Sequence, residues 1–176
     1  MLTNKEAYDL MVFLESEEGK SLELSISGFM KLKKNLKVLS TFVKELGEAE
    51  QKYRSPSEEL AQAEKLKNES LKPFVVCDAE GNIMQDAQGQ IMPLEGREPA
   101  IRGVILKFNN EHSELIESYN KQVAEWFDFF NNKEALIDLE FLNKAEIELP
   151  KKGKQQLFEG LMLLAPSLFE EDLEGK

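Results

Sequence analysis

Residues 29–53 read FMKLKKNLKVLSTFVKELGEAEQKY, and this stretch sets the fold prediction for the whole chain. Apolar residues recur there at two positions of a seven-residue repeat: Phe29, Leu36 and Val43 at one, and Leu32, Leu39, Leu46 and Tyr53 at the other. Such spacing is typical of a helix that buries one side against a neighbour. The pattern predicts a helix of about 25 residues, roughly 38 Å long, whose stability depends on what covers its apolar side.

The charge of the chain is uneven. The 176 residues carry a formal net charge of −11, which argues against free nucleic acid as a partner of the molecule as a whole. Residues 28–55, by contrast, hold seven Lys or Arg against three Glu. Lys31 and Lys34 on this basic helix are therefore candidates for contact with an acidic partner, and a solvated helix face is the alternative.

The cellular compartment is inferred from cysteine content and hydropathy. Cys77 is the single cysteine, so no internal disulfide forms and a reducing compartment is expected. The first residues lack the pattern of a signal peptide. No run of 18 apolar residues occurs, so we expect no contact with a membrane and a place in the cytoplasm.

Further helices and two strands are predicted around the long helix. Thr3 and Glu6 have the spacing of a capping box, which predicts a first helix over about 4–17. Alternation of apolar and polar residues predicts strands at 21–26 and 136–142 that pair with each other. Further helix signals are Ser27 as the cap of the long helix, Ser55-Pro56 as the start of the next, a second long helix over about 100–131, and a last helix around 157–164.

The middle of the chain contains an internal repeat of eight residues. Residues 78–84 read DAEGNIM and residues 86–92 read DAQGQIM. Each unit places Asp at the start of a turn and Gly where a positive φ is needed, as in a type I turn closed by a G1 bulge. A β-meander is predicted. A calcium loop is rejected, because position 12 counted from Asp78 is Gly89 where a Glu ligand is required.

These elements together predict an α+β fold. The two long helices form an antiparallel pair, with a small antiparallel sheet at one end. Residues 1–176 form a single domain, with 55–99 as an excursion that consists of a helix and the β-meander. The length is that of one domain.

The end of the second long helix supplies the main candidate binding residues: Trp126, Phe127, Phe129 and Phe130. At 100° per residue, three of these rings fall within a 100° arc, and Phe129 widens the arc to about 160°. One neighbouring helix cannot cover so wide an arc. Either the strands and the last helix close over the remainder, or a ring such as Phe129 stays exposed as an anchor for a partner.

Signals for catalysis are sparse. His112, the single histidine, has no second histidine or cysteine near it in sequence, and Cys77 has no neighbouring base. Asp138 with Glu140 could form a carboxylate pair, but no further base or ligand accompanies them. We therefore expect no enzyme activity, no catalytic residues, no cofactor and no metal.

The order of these parts resembles that of small uncharacterised proteins encoded in the late, structural gene clusters of tailed bacteriophages and prophages. The resemblance rests on the Lys-rich heptad helix from Gly28 to Tyr53, the turn at 78–82, the segment 136–139 and the leucine-rich helix at 157–164. It implies a virus-encoded protein that acts by binding, in the host cytoplasm or the virion.

The expected function is thus a protein–protein interaction module, structural or associated with assembly, whose partner is a virion component or a host protein. An acidic inhibitor of a host defence protein is the alternative, and a small hydrolase is a third. Self-association into a homo-oligomer stays open.

Overall fold

A computed structural model describes residues 2–143, 145–147 and 155–166, with the backbone alone given for 155–159. This part of the chain contains seven α-helices: α1 (Asn4–Glu15), α2 (Glu17–Lys20), α3 (Ile26–Arg54), α4 (Glu58–Leu71), α5 (Glu98–Glu111), α6 (Ser113–Asn132) and α7 (Gln155–Leu164). A 3₁₀ turn, Lys72–Phe74, follows α4. The chain divides into two compact units, one formed by Met1–Lys52 with Glu125–Lys176 and the other by Tyr53–Ala124.

Polar caps fix where the helices begin. The capping box before α1 is confirmed: Thr3 Oγ1 accepts the Glu6 N–H, and Glu6 Oε2 accepts the Thr3 N–H at 2.8 Å. The predicted caps of α3 and α4 are wrong by two residues each. Ser25 Oγ, not Ser27, accepts the N–H of the third residue of α3, and Ser57, not Ser55, caps α4. In both places two serines, two residues apart, could cap the helix. The one that does so is the serine whose hydroxyl oxygen lies close enough to accept a backbone N–H of the first turn.

The predicted α+β fold is wrong, because the described residues are mostly helical and contain no strand or sheet. Among the described residues, the alternating segment 21–26 makes one bridge, from Leu24 to Ile147. The Ser25 cap starts α3 at Ile26 and leaves this segment too short for a strand. The segment 136–142 is extended but does not pair with 21–26.

A side chain takes the place of a strand partner in the segment 136–142. Asn35 Nδ2 donates to the Glu140 carbonyl at 2.9 Å, and Asn35 Oδ1 accepts the Glu140 N–H at 2.8 Å. One amide therefore satisfies both backbone groups that a neighbouring strand would have used. Burial still alternates along the segment, with Ala135 buried, Ile137 and Leu139 half-buried, and the residues between them exposed.

The expected antiparallel pair of equal long helices is also wrong. The predicted second helix is two helices, α5 and α6, which meet at His112, where φ is −120° and ψ is 22°. The sequence around this break, Asn109-Asn110-Glu111-His112-Ser113, is rich in residues with low helix propensity. The interruption therefore has a local cause.

The core of the first unit lies against α3 and centres on Leu39, which is fully buried. Most of its buried side chains come from α1, from 135–147 and from the end of α7: Ala7, Leu10, Met11, Phe13, Leu14, Ala135, Leu142, Ile147, Leu161, Leu164 and Ala165. No described residue of α5 or α6 belongs to this cluster. Leu39 is thus buried as predicted, but by other elements than those expected.

The repeat in the second unit forms a closed ring of turns instead of a β-meander. The Val76 N–H donates to the Met92 carbonyl, the Met92 N–H to the Met84 carbonyl, and the Met84 N–H to the Val76 carbonyl, at 2.9–3.1 Å. These residues are eight apart, so the repeat generates an approximate threefold arrangement. Each pair of segments shares one isolated bridge, which explains why no sheet develops.

The turn chemistry of the repeat is confirmed. Gly81 and Gly89 have φ of 82° and 76°, and the Asp78 and Asp86 carboxylates each accept two backbone N–H groups of their own turn. Each carboxylate therefore stabilises its own turn through these hydrogen bonds. A third turn closes the ring at Gly96, where φ is 71°.

The helices of the second unit pack around a small cluster of Leu60, Ala63 and Phe108. At the ends of this unit, Tyr119 Oη donates to the Arg54 carbonyl and Gln122 Nε2 donates to the Tyr53 carbonyl, both at 2.8 Å. The two ends of Tyr53–Ala124 are thus held beside each other.

Candidate protein-binding face

One side of α3 is covered by tight contacts with the turn segment at residues 145 and 146. Gly28 lies so close to this segment that a Cβ on it would be 2.8 Å from the Glu146 carbonyl oxygen. The Ser25 N–H donates to the same carbonyl at 3.1 Å. The start of α3 is therefore fixed by backbone contacts as well as by its cap.

A buried carboxylate anchors this contact. Lys31 Nζ donates to Glu146 Oε2 at 2.8 Å, Ser27 Oγ donates to Glu146 Oε1 at 2.7 Å, and the Asn143 N–H adds a third hydrogen bond. The hydrogen bond from Lys31, followed by that from Ser27, lowers the pKa of Glu146 from 4.5 to about 2. At neutral pH the group is a fully ionised partner for Lys31.

Lys34, about one turn further along α3, also pairs with a carboxylate of this chain. Its Nζ lies 2.6 Å from Glu140 Oε1, beside the Asn35 amide that holds the Glu140 backbone. Lys31 and Lys34, the two lysines predicted to contact a partner, are thus both paired with carboxylates of this chain. Whether either also contacts a partner stays a prediction.

The opposite side of α3 exposes large apolar side chains. Ile26 is 87% exposed, Met30 55% and Phe29 49%. Lys33 Nζ lies 5.2 Å from the centre of the Phe29 ring, and Lys37 makes no ion pair with any described residue. We call these five residues, Ile26, Phe29, Met30, Lys33 and Lys37, the outer face of α3.

The outer face of α3 is contiguous. At 100° per residue, Ile26, Met30, Lys33 and Lys37 fall within about 60° of one another, and Phe29 widens the arc to about 100°. The arc spans about three turns, with the apolar residues in the first part and the lysines in the second. It therefore has the width of the apolar side of an ordinary amphipathic helix.

The heptad pattern placed Phe29 in the core, but only the middle of the seam is covered. Leu39 and Leu46 are buried, whereas Phe29 and Tyr53 at the two ends of the seam are exposed. A straight helix drifts about 20° per heptad from a strict seven-residue repeat, and this angle separates Phe29 from the half-buried Leu36 by too little to explain the exposure of Phe29. Phe29 is exposed because the described segments that pack on α3 leave this side of its first turn uncovered. A sequence feature that could have indicated the outer face is the run from 26 to 44, which contains five Lys and no Asp or Glu.

A groove lies beside the outer face. It has a volume of about 660 Å³ and is lined by α3 and by the extended segment 136–140, with Lys37, Val38, Phe42 and Leu136 on its walls. Leu136 is 95% exposed. Apolar surface therefore continues from α3 past Lys37 onto the neighbouring segment.

The aromatic cluster of α6 does not form one exposed patch. Trp126 is buried, and its ring centre lies 5.8 Å from that of Phe129 and 5.9 Å from that of Phe130. Phe130 also packs edge-on against Tyr8 of α1. Phe127 and Phe129 are exposed, but they lie about 160° apart around the helix. The two exposed rings therefore do not form a continuous patch. Phe129 as an anchor for a partner stays a prediction.

Of the residues considered for catalysis, Asp138 and Glu140 line the groove beside the outer face, whereas His112 and Cys77 belong to neither the face nor the groove. His112 ends α5, and its ring centre lies 5.1 Å from that of Phe108, with the ring planes tilted by 49°. Cys77 is a half-buried free thiol in the ring of turns. Asp138 and Glu140 remain on the exposed side of their segment. Among the residues that the structure describes, no group of three or more His, Cys, Asp or Glu is placed to hold a metal ion.

Comparison of the chain with protein-family models, with curated proteins and with solved structures finds no match. In the described ranges, no helix combines the length and apolar character needed to cross a membrane.

Proposed function

We propose that this protein is a non-enzymatic interaction module that binds another protein through the outer face of α3. The observation that carries the proposal is the exposure of Ile26, Phe29 and Met30 side by side on one helix. Apolar side chains that are exposed as a group, with polar residues beside them, mark interaction sites more often than scattered ones do.

The composition of the face supports a protein partner. Aromatic and methionine side chains are enriched at protein interfaces, and a few such anchors provide most of the binding energy. Phe29 and Met30 have that character, and Lys33 and Lys37 supply a polar edge. The groove between α3 and Leu136 adds concave surface at the end of the same face.

The remainder of the first unit gives this face a rigid base. Gly28 and Lys31, on the covered side of the same turns, contact Glu146, and Asn35 holds the Glu140 backbone. A binding surface on a fixed helix loses little conformational freedom when the partner docks. The resemblance to phage late-gene proteins makes a virion component or an assembly factor the first partner to test.

The proposal is tested by affinity capture from a lysate of infected bacteria, with quantitative mass spectrometry. Phe29→Ser combined with Met30→Ser should reduce the recovery of the specific partner at least tenfold. Leu66→Ser is the control, because Leu66 is also a large exposed apolar residue and lies on α4, outside the outer face of α3. Equal recovery by the double variant and native protein would contradict the proposal.

A further inference from the structure

The charge of the outer face of α3 defines what its partner must carry. Residues 26–44 contain five Lys and no acidic residue, although the chain as a whole has a net charge of −11. Three of these lysines face carboxylates of the same chain: Lys31 with Glu146, Lys34 with Glu140 and Lys44 with Glu48. Lys33 and Lys37 form no ion pair with a carboxylate of the described residues, although Asp138 and Glu140 lie on the walls of the groove that Lys37 also lines.

These two lysines are on the same strip of surface as the exposed apolar residues. Ile26, Met30, Lys33 and Lys37 follow one another at helical spacings of four, three and four residues. At 1.5 Å per residue the strip is about 16 Å long, with its apolar part separated from Lys37 by about 10 Å. A complementary surface therefore needs apolar side chains at one end and carboxylates about two turns away.

We infer that the outer face of α3 receives an acidic amphipathic helix of another protein. The inference rests on the proposed function and adds the chemistry of the partner. A helix presents side chains at the same spacings as α3, so apolar anchors can meet Ile26, Phe29 and Met30, while Asp or Glu about one turn along meets Lys33 and about two turns along meets Lys37. Opposite charges across the interface also speed association and select the orientation.

An anionic membrane and nucleic acid fit the same lysines less well. Both would bring many negative charges towards a chain whose net charge is −11, and repulsion from the rest of the molecule opposes such binding. A single helix brings only a few carboxylates to the one basic face. Its apolar anchors match the three exposed side chains of the first two turns.

The test uses two synthetic peptides of about 14 residues, or four helical turns. Both carry Leu and Phe in the first two turns, and one carries Glu where the other carries Gln in the last two. Binding to the full chain is measured by fluorescence anisotropy at low ionic strength and at about 0.15 M salt, where exposed charges are screened. The Glu peptide should bind several-fold more tightly than the Gln peptide, and salt should reduce this difference.

Substitutions in the chain test whether Lys33 and Lys37 cause the difference in affinity between the two peptides. Lys33→Gln combined with Lys37→Gln should weaken binding of the Glu peptide about three- to tenfold and leave binding of the Gln peptide unchanged. Lys67→Gln is the control, because Lys67 of α4 lies 4.5 Å from the centre of the Phe108 ring of α5, much as Lys33 lies 5.2 Å from that of Phe29, but is outside the outer face of α3. This control should leave the affinity for both peptides unchanged.

Several results would overturn the inference: no binding of the Glu peptide, equal affinity for both peptides, or an equal loss with Lys67→Gln. Tighter binding to vesicles of phosphatidylserine and phosphatidylcholine, lost with the two lysine substitutions, would also overturn it in favour of a membrane surface. If the captured partner depends on Phe29 and Met30 but the peptides behave in any of these ways, the inference fails while the proposed function stands.

Discussion

The two sides of α3 have similar residue types and opposite surroundings. On one side Leu39 is fully buried and Lys31 pairs with Glu146; on the other Met30 is exposed and Lys33 lies over the ring of Phe29. Helix propensity and residue type do not distinguish Leu39 from Met30, or Lys31 from Lys33. Their surroundings differ because other segments pack on one side of the helix. The same kind of substitution can therefore be used to test each side.

The largest difference is expected for truncation of an apolar side chain. Leu39→Ala should lower the free energy of unfolding by about 2–5 kcal/mol, because it leaves a cavity in a packed core. Met30→Ala removes a similar volume from an exposed position and should change stability by no more than about 0.5 kcal/mol. Chemical denaturation measures both values. A loss below about 1 kcal/mol for Leu39→Ala would contradict the packing described for this side.

Glycines of α3 give a second comparison. At Gly28 an added Cβ would press against the Glu146 carbonyl, whereas at Gly47 it would meet nothing within 4 Å. Gly28→Ala should therefore destabilise the chain by about 1–3 kcal/mol. Gly47→Ala should stabilise it by up to about 1 kcal/mol, since alanine is the better helix former. Thermal unfolding distinguishes the two signs, and a stabilised Gly28→Ala variant would show that α3 does not touch the segment at 146.

A smaller, pH-dependent effect is expected from Glu146. Its pKa is lowered in the folded chain from 4.5 to about 2, so the ionised group adds stability that is complete above about pH 4.5. This stability is lost as the pH falls towards about 2. Glu146→Gln should lower the thermal midpoint at pH 7, and the gap to the native protein should narrow through this acidic range.

The control for this pH effect is Glu48→Gln, which alters the exposed, long pair with Lys44 at 3.9 Å. Surface pairs of this kind contribute little, so the midpoint should stay close to that of the native protein at every pH. A gap for Glu146→Gln that is the same at pH 7 and near pH 2 would show that the carboxylate is not held by Lys31 and Ser27.

The sequence predicted local features that depend on nearby residues. The capping box at Thr3, the presence of α3 and its end near Arg54, the burial of Leu39 and the Asp-Gly turns of the repeat are all confirmed. Each follows from spacings of a few residues and from the φ preference of glycine. The resemblance to phage proteins and the binding function have not been tested and stay predictions.

Features that depend on distant residues were predicted wrongly. Alternation at 136–142 was correctly recognised, but the sequence could not show that the Asn35 side chain, about a hundred residues earlier, would take the role of a strand. The repeat indicated its turns but not that three segments would close into a ring. The outer face of α3 was missed because a strict heptad assigns Phe29 to the seam, and the sequence could not show that the packing segments leave this side of the first turn of α3 uncovered.

Methionine oxidation tests the central claim most directly, since Met30 is on the outer face of α3 while Met84 and Met162 are exposed elsewhere. Oxidation by dilute peroxide, followed by mass spectrometry, reports the exposure of each side chain. In complex with the captured partner, Met30 should be oxidised at least several-fold more slowly than in the free chain, with Met84 and Met162 unchanged. Unchanged oxidation of Met30 together with protection of Met84 or Met162 would place the binding surface elsewhere and contradict the account.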